Sequence, residues 1–589
     1  MQRFLDLLSE LAGSAFENAG IEASYGRVKL SDRPELCEFQ TNGALSAAKK
    51  YKKNPMEIAE SIAERLSNDP AFSCVSAVRP GFVNFNVSND FLLSYIKDMY
   101  EDEERLGVSK TQDPKKIIMD YGGPNVAKPL HVGHLRSAVI GESLKRILRF
   151  MGHEVTADIH LGDFGLQMGL IIAELSERKP TLPYFDPDFS GDYPADPPFT
   201  ISELEEIYPF ASKRSKEDPV FAKKASDATY EMQQGRRGYR ELLSWIMKVS
   251  VSDLKRNYER LKVQFDLWKG EADAEPYIPG MVKMLKDKGL AHESDGALVV
   301  DVKRDDDKKE IPPCMILKSD GAALYDTTDL ATLIWRVNDY HPDEIMYVVD
   351  KRQELHFIQV FRCARMAGIV PDETELTFIG FGTVNGTDGH ALKTRDGGVM
   401  RLERLLDDIK EKMHEKIIEN ESLSSDEADK VSDIVSLSAV KYGDLKNQPA
   451  KDYIFDMDRF TSSEGDTGPY ILYTVVRIKS IVRKYEEAGG NIENIAPSIS
   501  RAGTEKALLL SLSGFSAEVE KAASSASPNV ICAYIYNLCN EFNHFYHETK
   551  ILSCEDEDEK KGYIALCVLT KRVLERSIEL LGFEAPERM

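Results

Sequence analysis

The sequence predicts a multidomain α/β protein: a small α/β module over residues 1–110, a doubly wound parallel-sheet domain over 111–401, and an all-α helical bundle over 402–589. Three observations predict it. A β-branched run, Lys115 to Tyr121, enters a Gly/Pro loop and leaves as a segment with Ala138, Val139, Leu144, Ile147, Leu148 and Met151 at helical spacing, which makes a strand-to-helix crossover. Further short apolar runs alternate with helical patterns, and such alternation implies parallel pairing. From about residue 402 the periodicity is helical to the end.

Composition narrows the class. An apolar content of 42% over 589 residues suits several globular cores, and no apolar run of membrane-spanning length occurs. Met1 leads straight into Leu5, Leu7, Leu8 and Leu11 at helical spacing with no basic leader, so a cytoplasmic protein is expected. The eight cysteines never form a Cys-x-x-Cys pair, which argues against a disulfide framework or a zinc ribbon and for core thiols; no metal ligands are assigned. A net charge of −23 opposes binding to nucleic acid, although local clusters could form a basic track. These are Lys49 to Lys53, Lys213 to Lys216, and Arg477, Lys479, Arg483 and Lys484; the alternative is solvated surface.

In chain order, an amphipathic helix opens the first module, and Val78 to Val87 reads as a turn into an alternating strand. The acidic, turn-prone Tyr100 to Glu104 and Thr111 to Pro114 mark a linker. The crossover loop, Asp120 to Ser137, reads as a phosphate site, because the unpaired N–H groups and dipole of a helix start favour anions. His131 and His134 flank that start as N–H donors, and Gly133 lets a nucleotide lie against the backbone. The alternative is two histidines capping a helix. With 11 His and 38 Gly, a His-x-Gly-His string arises by chance in about one such chain in a hundred.

Val155 to Leu161 is the next expected strand, and Asp163 after it meets a ribose hydroxyl or, better, caps the following helix. Residues 180–230, rich in Pro, Asp and aromatics, suggest a surface insertion with little regular structure, with helices returning over 227–262. The second half of the sheet is expected as Ala322 to Asp329, Ile345 to Asp350 and Leu376 to Gly382, with a helix around His356 to Met366. If the first of these starts a helix instead, Tyr325 and Asp329 share a face, and a carboxylate beside a phenol suits a guanidinium. A helix-start Asp with a core Tyr is the alternative. Gly386 to Arg401 reads as a basic, glycine-rich lid facing phosphates, or as an exposed hairpin tip. Tyr470 and Tyr473 beside Arg477 suit unstacked RNA bases, or else a buried helix face.

The string PNVAKPLHVGHLRS resembles the signature of class I arginyl-tRNA synthetases, and the resemblance extends from Phe39-Gln-Thr-Asn42 to the final LLGFEAPERM. It also includes Gly162-Asp-Phe-Gly165, Phe265 to Glu271, Tyr325-x-x-x-Asp329, the Gln353 of VVDKRQ, and Gly465 to Tyr473. The resemblance implies an arginine–tRNA ligase in three parts: an elbow-binding module, a Rossmann-type catalytic domain with a connective insertion at about 175–320, and a helical anticodon-binding bundle. It implies a monomer that takes ATP with Mg²⁺, L-arginine and arginine tRNA, without zinc or membrane. For arginine it points to Asn125, His131, Tyr325, Asp329 and Gln353; for ATP, to His131, Gly133, His134, Lys393, Thr394 and Arg395; for tRNA, to Tyr470, Tyr473 and Arg477. Catalysis would rest on His131, His134 and Lys128, the last because the family's loop lysines are missing from Ala391-Leu-Lys-Thr-Arg395. Other departures are Phe164 for Trp, Ala272 for Ser and Gly123 for Ser. Two other classes fit the motif. A small nucleotidyltransferase of the His-x-Gly-His type would not need the helical third, and a non-catalytic tRNA-binding paralogue would have lost the histidines or Asp329.

Overall fold

Five parallel strands carry the site: β1 Lys116–Tyr121, β2 Glu154–Leu161, β3 Leu267–Gly270, β4 Glu344–Asp350 and β5 Glu375–Phe381, in the order β5-β4-β1-β2-β3. In this computed structural model residues 1–33, 35–390, 392, 400–419, 423–500 and 505–589 are described. They fall into two units, 112–412 with 447–460, and 1–111 with 413–446 and 461–589. The sheet belongs to the first unit. The chain begins in its middle at β1, moves outward through β2 to β3, and returns on the other side of β1 with β4 and β5. That reversal between β1 and β4 opens a crevice at the carboxyl ends of the two strands, where doubly wound sheets bind ligands. Nearly every residue of β1 and β4 is buried, because helices cover both faces, and this explains their continuous apolar character.

Helix α1, Val132–Met151, follows β1, and α2, Leu166–Arg178, follows β2. The expected irregular stretch at 180–230 is helical over more than half its length: α3, Ile201–Glu217, and α4, Pro219–Gln233. Thr200 and Glu203 cap α3 reciprocally, and Asp218 caps α4 with Pro219 at its first position. Ala211, Phe221 and Ala225 pack on Leu170 and Ala173 of α2, so a helical-period face was present beneath the proline and aspartate signal of 180–200. Helix α5, Arg237–Arg260, precedes β3. The stretch 175–320 therefore contains a sheet strand, with added structure on both sides of it; the second part holds a three-stranded antiparallel sheet, Ala291–Ser294, Ala297–Val300 and Cys314–Leu317.

The expected strand at Ala322 to Asp329 is instead the entry to helix α6, Tyr325–Tyr340. Thr327 decides this: its hydroxyl accepts the Leu324 N–H at 3.0 Å and donates to the Ile316 carbonyl at 2.6 Å. That bond satisfies the helix start and ties it to the neighbouring strand. Helix α7, Glu354–Ala367, joins β4 to β5.

In the other unit a four-stranded antiparallel sheet, ordered Lys29–Leu30, Phe39–Thr41, Phe82–Val87 and Phe72–Val78, packs with four helices, the first being Phe4–Asn18. Phe82–Val87 alternates in burial as its pattern predicts. The helices Ser425–Leu445, Gly468–Glu487, Asn529–Glu548 and Glu557–Leu580 dominate the rest. Lys506 bonds Glu38 at 2.6 Å and the Val87 carbonyl at 2.9 Å, and Arg3 meets Glu520 at 2.8 Å. The acidic stretch at 100–104 is no free linker: Tyr100 and Glu101 end a helix, and Arg572 binds the Tyr100 carbonyl and Glu103. Six of the eight cysteines are buried. Among the described residues, no helix is long and apolar enough to cross a membrane.

Under the crevice, Nη2 of the fully buried Arg336 donates to Asp120 of β1 at 2.6 Å and to Asp158 of β2 at 2.7 Å. Replacing Arg336 with Met should leave two buried carboxylates without a cation and lower unfolding stability by about 3–5 kcal/mol, read from urea titration; a loss below about 1 kcal/mol would show that the pair relaxes or protonates without cost.

Candidate functional site

A cavity of about 870 Å³ occupies the crevice, walled by the 120–125 loop, the first turns of α1 and α6, and the exits of β4 and β5. The loop is fastened to the end of β2. The Gly162 N–H donates to the Pro124 carbonyl at 3.2 Å and the Val126 N–H to the Gly162 carbonyl at 3.1 Å. A Cβ on Gly123 would lie 2.0 Å from the His160 carbonyl oxygen, so any side chain there, a serine included, would need a different backbone path. Ser137 bridges the switch point, accepting the Gly122 N–H and donating to the Val348 carbonyl of β4, each at 2.7 Å.

The two motif histidines cap α1 and face the cavity at once. His131 Nδ1 accepts the Gly133 N–H at 3.0 Å, and His134 Nδ1 accepts the His131 N–H at 3.1 Å, with the rings stacked at 3.8 Å between centroids. With both Nδ1 atoms accepting, each neutral ring carries its proton on Nε2, the nitrogen left for a ligand. Burial and then the Lys128 charge hold His131 below its ordinary pKa; burial, with His131 and Lys128 adding, takes His134 down to about 3. Both are therefore neutral donors near pH 7. Sequence reasoning offered caps or ligands as alternatives, and the geometry makes them compatible. Gly133 has a further role: a Cβ there would lie 2.8 Å from His131 Cε1.

At the other end of the cavity stand Tyr325, Asp329 and Gln353, with Asn125 beside Gly162. Tyr325 opens α6 and Asp329 lies one turn on, on the same face as their spacing predicted, Tyr325 being 57% exposed. Two residues there escaped the sequence reading. Glu271 is buried, accepts the Phe164 N–H at 3.3 Å, and is raised to about 8 by burial first and then by the Asp163 and Asp329 charges. His356, read only as the start of a helix, lies 2.5 Å from Asp329 and 2.7 Å from Asp326. A glutamate after Gly270 was visible within the Phe265 to Glu271 motif; nothing local marked His356. Asp163 does not cap α2, which starts at Gly165 without a side-chain cap: it accepts the Ala272 N–H at 2.9 Å, is pushed up to about 6 by burial, and is not among the residues lining the cavity. Asp120, Asp158 and His160 could group around a cation, but the Arg336 guanidinium already takes that place.

Lys128 does not line the cavity; its ammonium sits 4.3 Å from the centre of the Tyr208 ring on α3. Lys393, Thr394 and Arg395 lie outside the described residues. The exit of their loop is ordered against the motif: the Val132 N–H donates to the Met400 carbonyl at 3.1 Å and the Leu402 N–H to the Leu130 carbonyl at 2.9 Å. In the helical unit, Tyr470 is held through its hydroxyl by Asn540 at 2.7 Å and Asn543 at 3.0 Å, whereas Tyr473 is 46% exposed with Arg477 5.2 Å from its ring centre. Within two of the basic clusters, Arg214 pairs with Glu177 at 2.5 Å and Lys479 with Glu587 at 2.6 Å.

Three family patterns match the chain: "Arginyl tRNA synthetase N terminal domain" over residues 4–87, "tRNA synthetases class I (R), catalytic domain" over 96–457, and "DALR anticodon binding domain" over 471–589. A protein of Agathobacter rectalis named arginine–tRNA ligase is 60% identical over 597 residues, and one of Alkaliphilus oremlandii with the same name is 53% identical over 589, both covering 100% of each chain. Among solved structures, arginyl-tRNA synthetase from Plasmodium falciparum superposes with a TM-score of 0.81 at 24% identity, and that from Thermus thermophilus with 0.78 at 23%, again over 100% of both chains. These two likenesses are of fold.

A substitution separates the cap from the site. Gly133→Ala gains about 1 kcal/mol of helix propensity and loses about 1 kcal/mol of capping, so the melting temperature should stay nearly constant. The His131 ring must swing away, and its Nδ1 should lose the hydrogen-bonded ¹⁵N shift of a capping acceptor. An unchanged ring spectrum would show that the backbone yields instead.

Proposed function

Because the chain belongs to the arginyl-tRNA synthetases, we propose that its cavity takes ATP at the His131–His134 end and L-arginine at the Asp329 end. The protein is an ATP-dependent arginine–tRNA ligase. An arginine carboxylate oxygen attacks the α-phosphorus of ATP, forming the mixed anhydride and expelling pyrophosphate. The terminal ribose hydroxyl of the tRNA then attacks the anhydride carbonyl and AMP leaves. The first nucleophile is already ionised, so its activation needs no base; the site has to align it and stabilise charge on the phosphoryl oxygens. His131 and His134 would donate from Nε2 to those oxygens, and Gly133 would let the nucleotide approach. Asn125, Tyr325, Asp329 and Gln353 would hold arginine, with the buried carboxyl of Glu271 beside them. The observation that carries this assignment is that one cavity joins a neutral N–H donor pair to an acidic end.

Lys128 is the cation proposed for the phosphates, and reaching them requires it to leave Tyr208; Lys393, Thr394 and Arg395 are the competing loop group. Mg²⁺ would arrive with the ATP polyphosphate. The described residues at the histidine end offer it no cluster of free carboxylates, since Asp350 is held by Arg352 at 2.5 Å. Residues 1–110 would serve as the elbow module, 111–401 as the catalytic domain and 402–589 as the anticodon bundle, in a cytoplasmic monomer. The nucleotidyltransferase and silent-paralogue readings lose their ground, because the chain matches ligases along its whole length and retains His131, His134 and Asp329.

Two outcomes test the assignments. Asp329→Asn should raise the arginine KM of pyrophosphate exchange by about 10²-fold while sparing the ATP KM, the scale of removing a buried charged partner; an arginine KM within about threefold, under 1 kcal/mol, would remove Asp329 from the arginine site. In the helical unit Tyr473→Ala should weaken charging of arginine tRNA by about 1–3 kcal/mol, the worth of one stacked base, with exchange at saturating tRNA unaffected. Tyr470, bound to Asn540 and Asn543, should act on stability as well. Equal charging of tRNAs with exchanged anticodon bases would exclude recognition by Tyr473.

A further inference from the structure

Asp329 is one end of a hydrogen-bonded chain. Its Oδ2 lies 2.5 Å from Nε2 of His356; the Nδ1 of that ring lies 2.7 Å from Oδ1 of Asp326; and Oδ2 of Asp326 accepts the Met315 N–H at 3.1 Å. The chain therefore starts on the backbone of the strand Cys314–Leu317, crosses α6, passes through the first turn of α7 and returns to α6. A ring that meets carboxylates at both nitrogens donates from both and is an imidazolium. Burial opposes that charge, but the bonds to Asp326 and Asp329 outweigh it and raise His356 to about 10.

We propose that His356 is a positioning residue for arginine recognition: held between Asp326 and Asp329, it fixes the Asp329 carboxylate so that its other oxygen faces the incoming guanidinium. The proposal rests on reading Asp329 as the guanidinium's partner. Asp326 and Asp329 are one helical turn apart, with side chains 13% and 22% exposed, and two uncompensated carboxylates at that spacing repel. Among the described residues His356 is the only basic side chain within ion-pair distance of Asp329. A free aspartate also has a broad terminal torsion, so an unheld Asp329 would spread over orientations or take up a proton. Either change weakens the charge-assisted bond that a guanidinium seeks. The imidazolium does repel the substrate cation, but the trio of Asp326, His356 and Asp329 still carries one net negative charge. Attraction therefore remains, and the gain is a fixed direction.

The test uses the full-length enzyme with His356→Ala, His356→Gln, Asp329→Asn and the His356→Ala/Asp329→Asn pair, assayed by pyrophosphate exchange in the presence of tRNA. Glutamine fills the volume of the ring but is uncharged and cannot donate to carboxylates on both sides. Both His356 variants should raise the arginine KM, alanine by about tenfold or more, with the ATP KM and the rate at saturating arginine within about threefold. A residue acting through Asp329 should be silent without it, so the pair should have an arginine KM within about threefold of Asp329→Asn alone. An arginine KM unchanged in both His356 variants, or fully additive effects in the pair, would overturn the proposal and leave His356 a structural role. Should Asp329→Asn itself leave the arginine KM unchanged, the underlying assignment of Asp329 fails, and that result is distinct from either of the others.

Discussion

Arg336 ties together the parts that the cavity needs. Its guanidinium draws Asp120 of β1 and Asp158 of β2 to the same buried point, and its own helix, α6, presents Tyr325 and Asp329 from one face of its first two turns. The distance between a sheet floor and a helix start is thereby set by a bond with no solvent to compete for it. Such an ion pair gains little net stability over an apolar replacement, because desolvating three charges offsets most of the attraction. What it supplies is register: α6 cannot slide or rotate without uncovering charge. The other end of α6 is pinned by Thr327 to Ile316, so the turn carrying Asp329 is held from both directions.

The two ends of the cavity are built on opposite electrostatic principles. At the acidic end Asp326 and Asp329 face an imidazolium, an arrangement suited to a ligand of fixed positive charge. At the histidine end the rings are kept neutral by burial, and they donate from Nε2 because their Nδ1 atoms are occupied by the helix start. Charged rings would grip the ground-state triphosphate as tightly as the transition state, which lowers KM without speeding the chemical step. On the placement of ATP proposed above, neutral, preoriented donors would respond to charge that develops on the α-phosphate.

Four of the five parallel strands were legible because each is a short, largely apolar run with β-branched residues, and the site loop because a glycine and two histidines coincide at a strand-to-helix junction; β3, Leu267–Gly270, is too short, lacks any β-branched residue, and was not expected as a strand. Where reading failed, local pattern and tertiary context disagreed. Ala322 to Asp329 carries strand-like threonines, yet one of them, Thr327, spends its hydroxyl on starting a helix. Residues 201–230 have a helical apolar stripe that the preceding prolines obscured. His356 was invisible for a different reason: its partners lie 27 and 30 positions away and meet it only when α6 and α7 pack, so no window of sequence contains the cluster.

Two cations border the histidine end, and magnitudes rank them. Lys128 lies over Tyr208, and Arg401, at the exit of the 386–401 loop, pairs with Glu205 at 3.1 Å, so one face of α3 holds a cation from each of the two loops that border the histidines. A lysine–aromatic contact of this kind is worth about 0.5–2 kcal/mol. With ATP placed there as proposed, a charge-assisted bond to its polyphosphate would exceed that, so Tyr208 would be a resting place for Lys128 and not a lock. Arg401 is tied more firmly, since its backbone also bridges His131 in an antiparallel pair. Of the two, Lys128 is the cation whose transfer to the proposed nucleotide would cost less, because only its side chain would have to move.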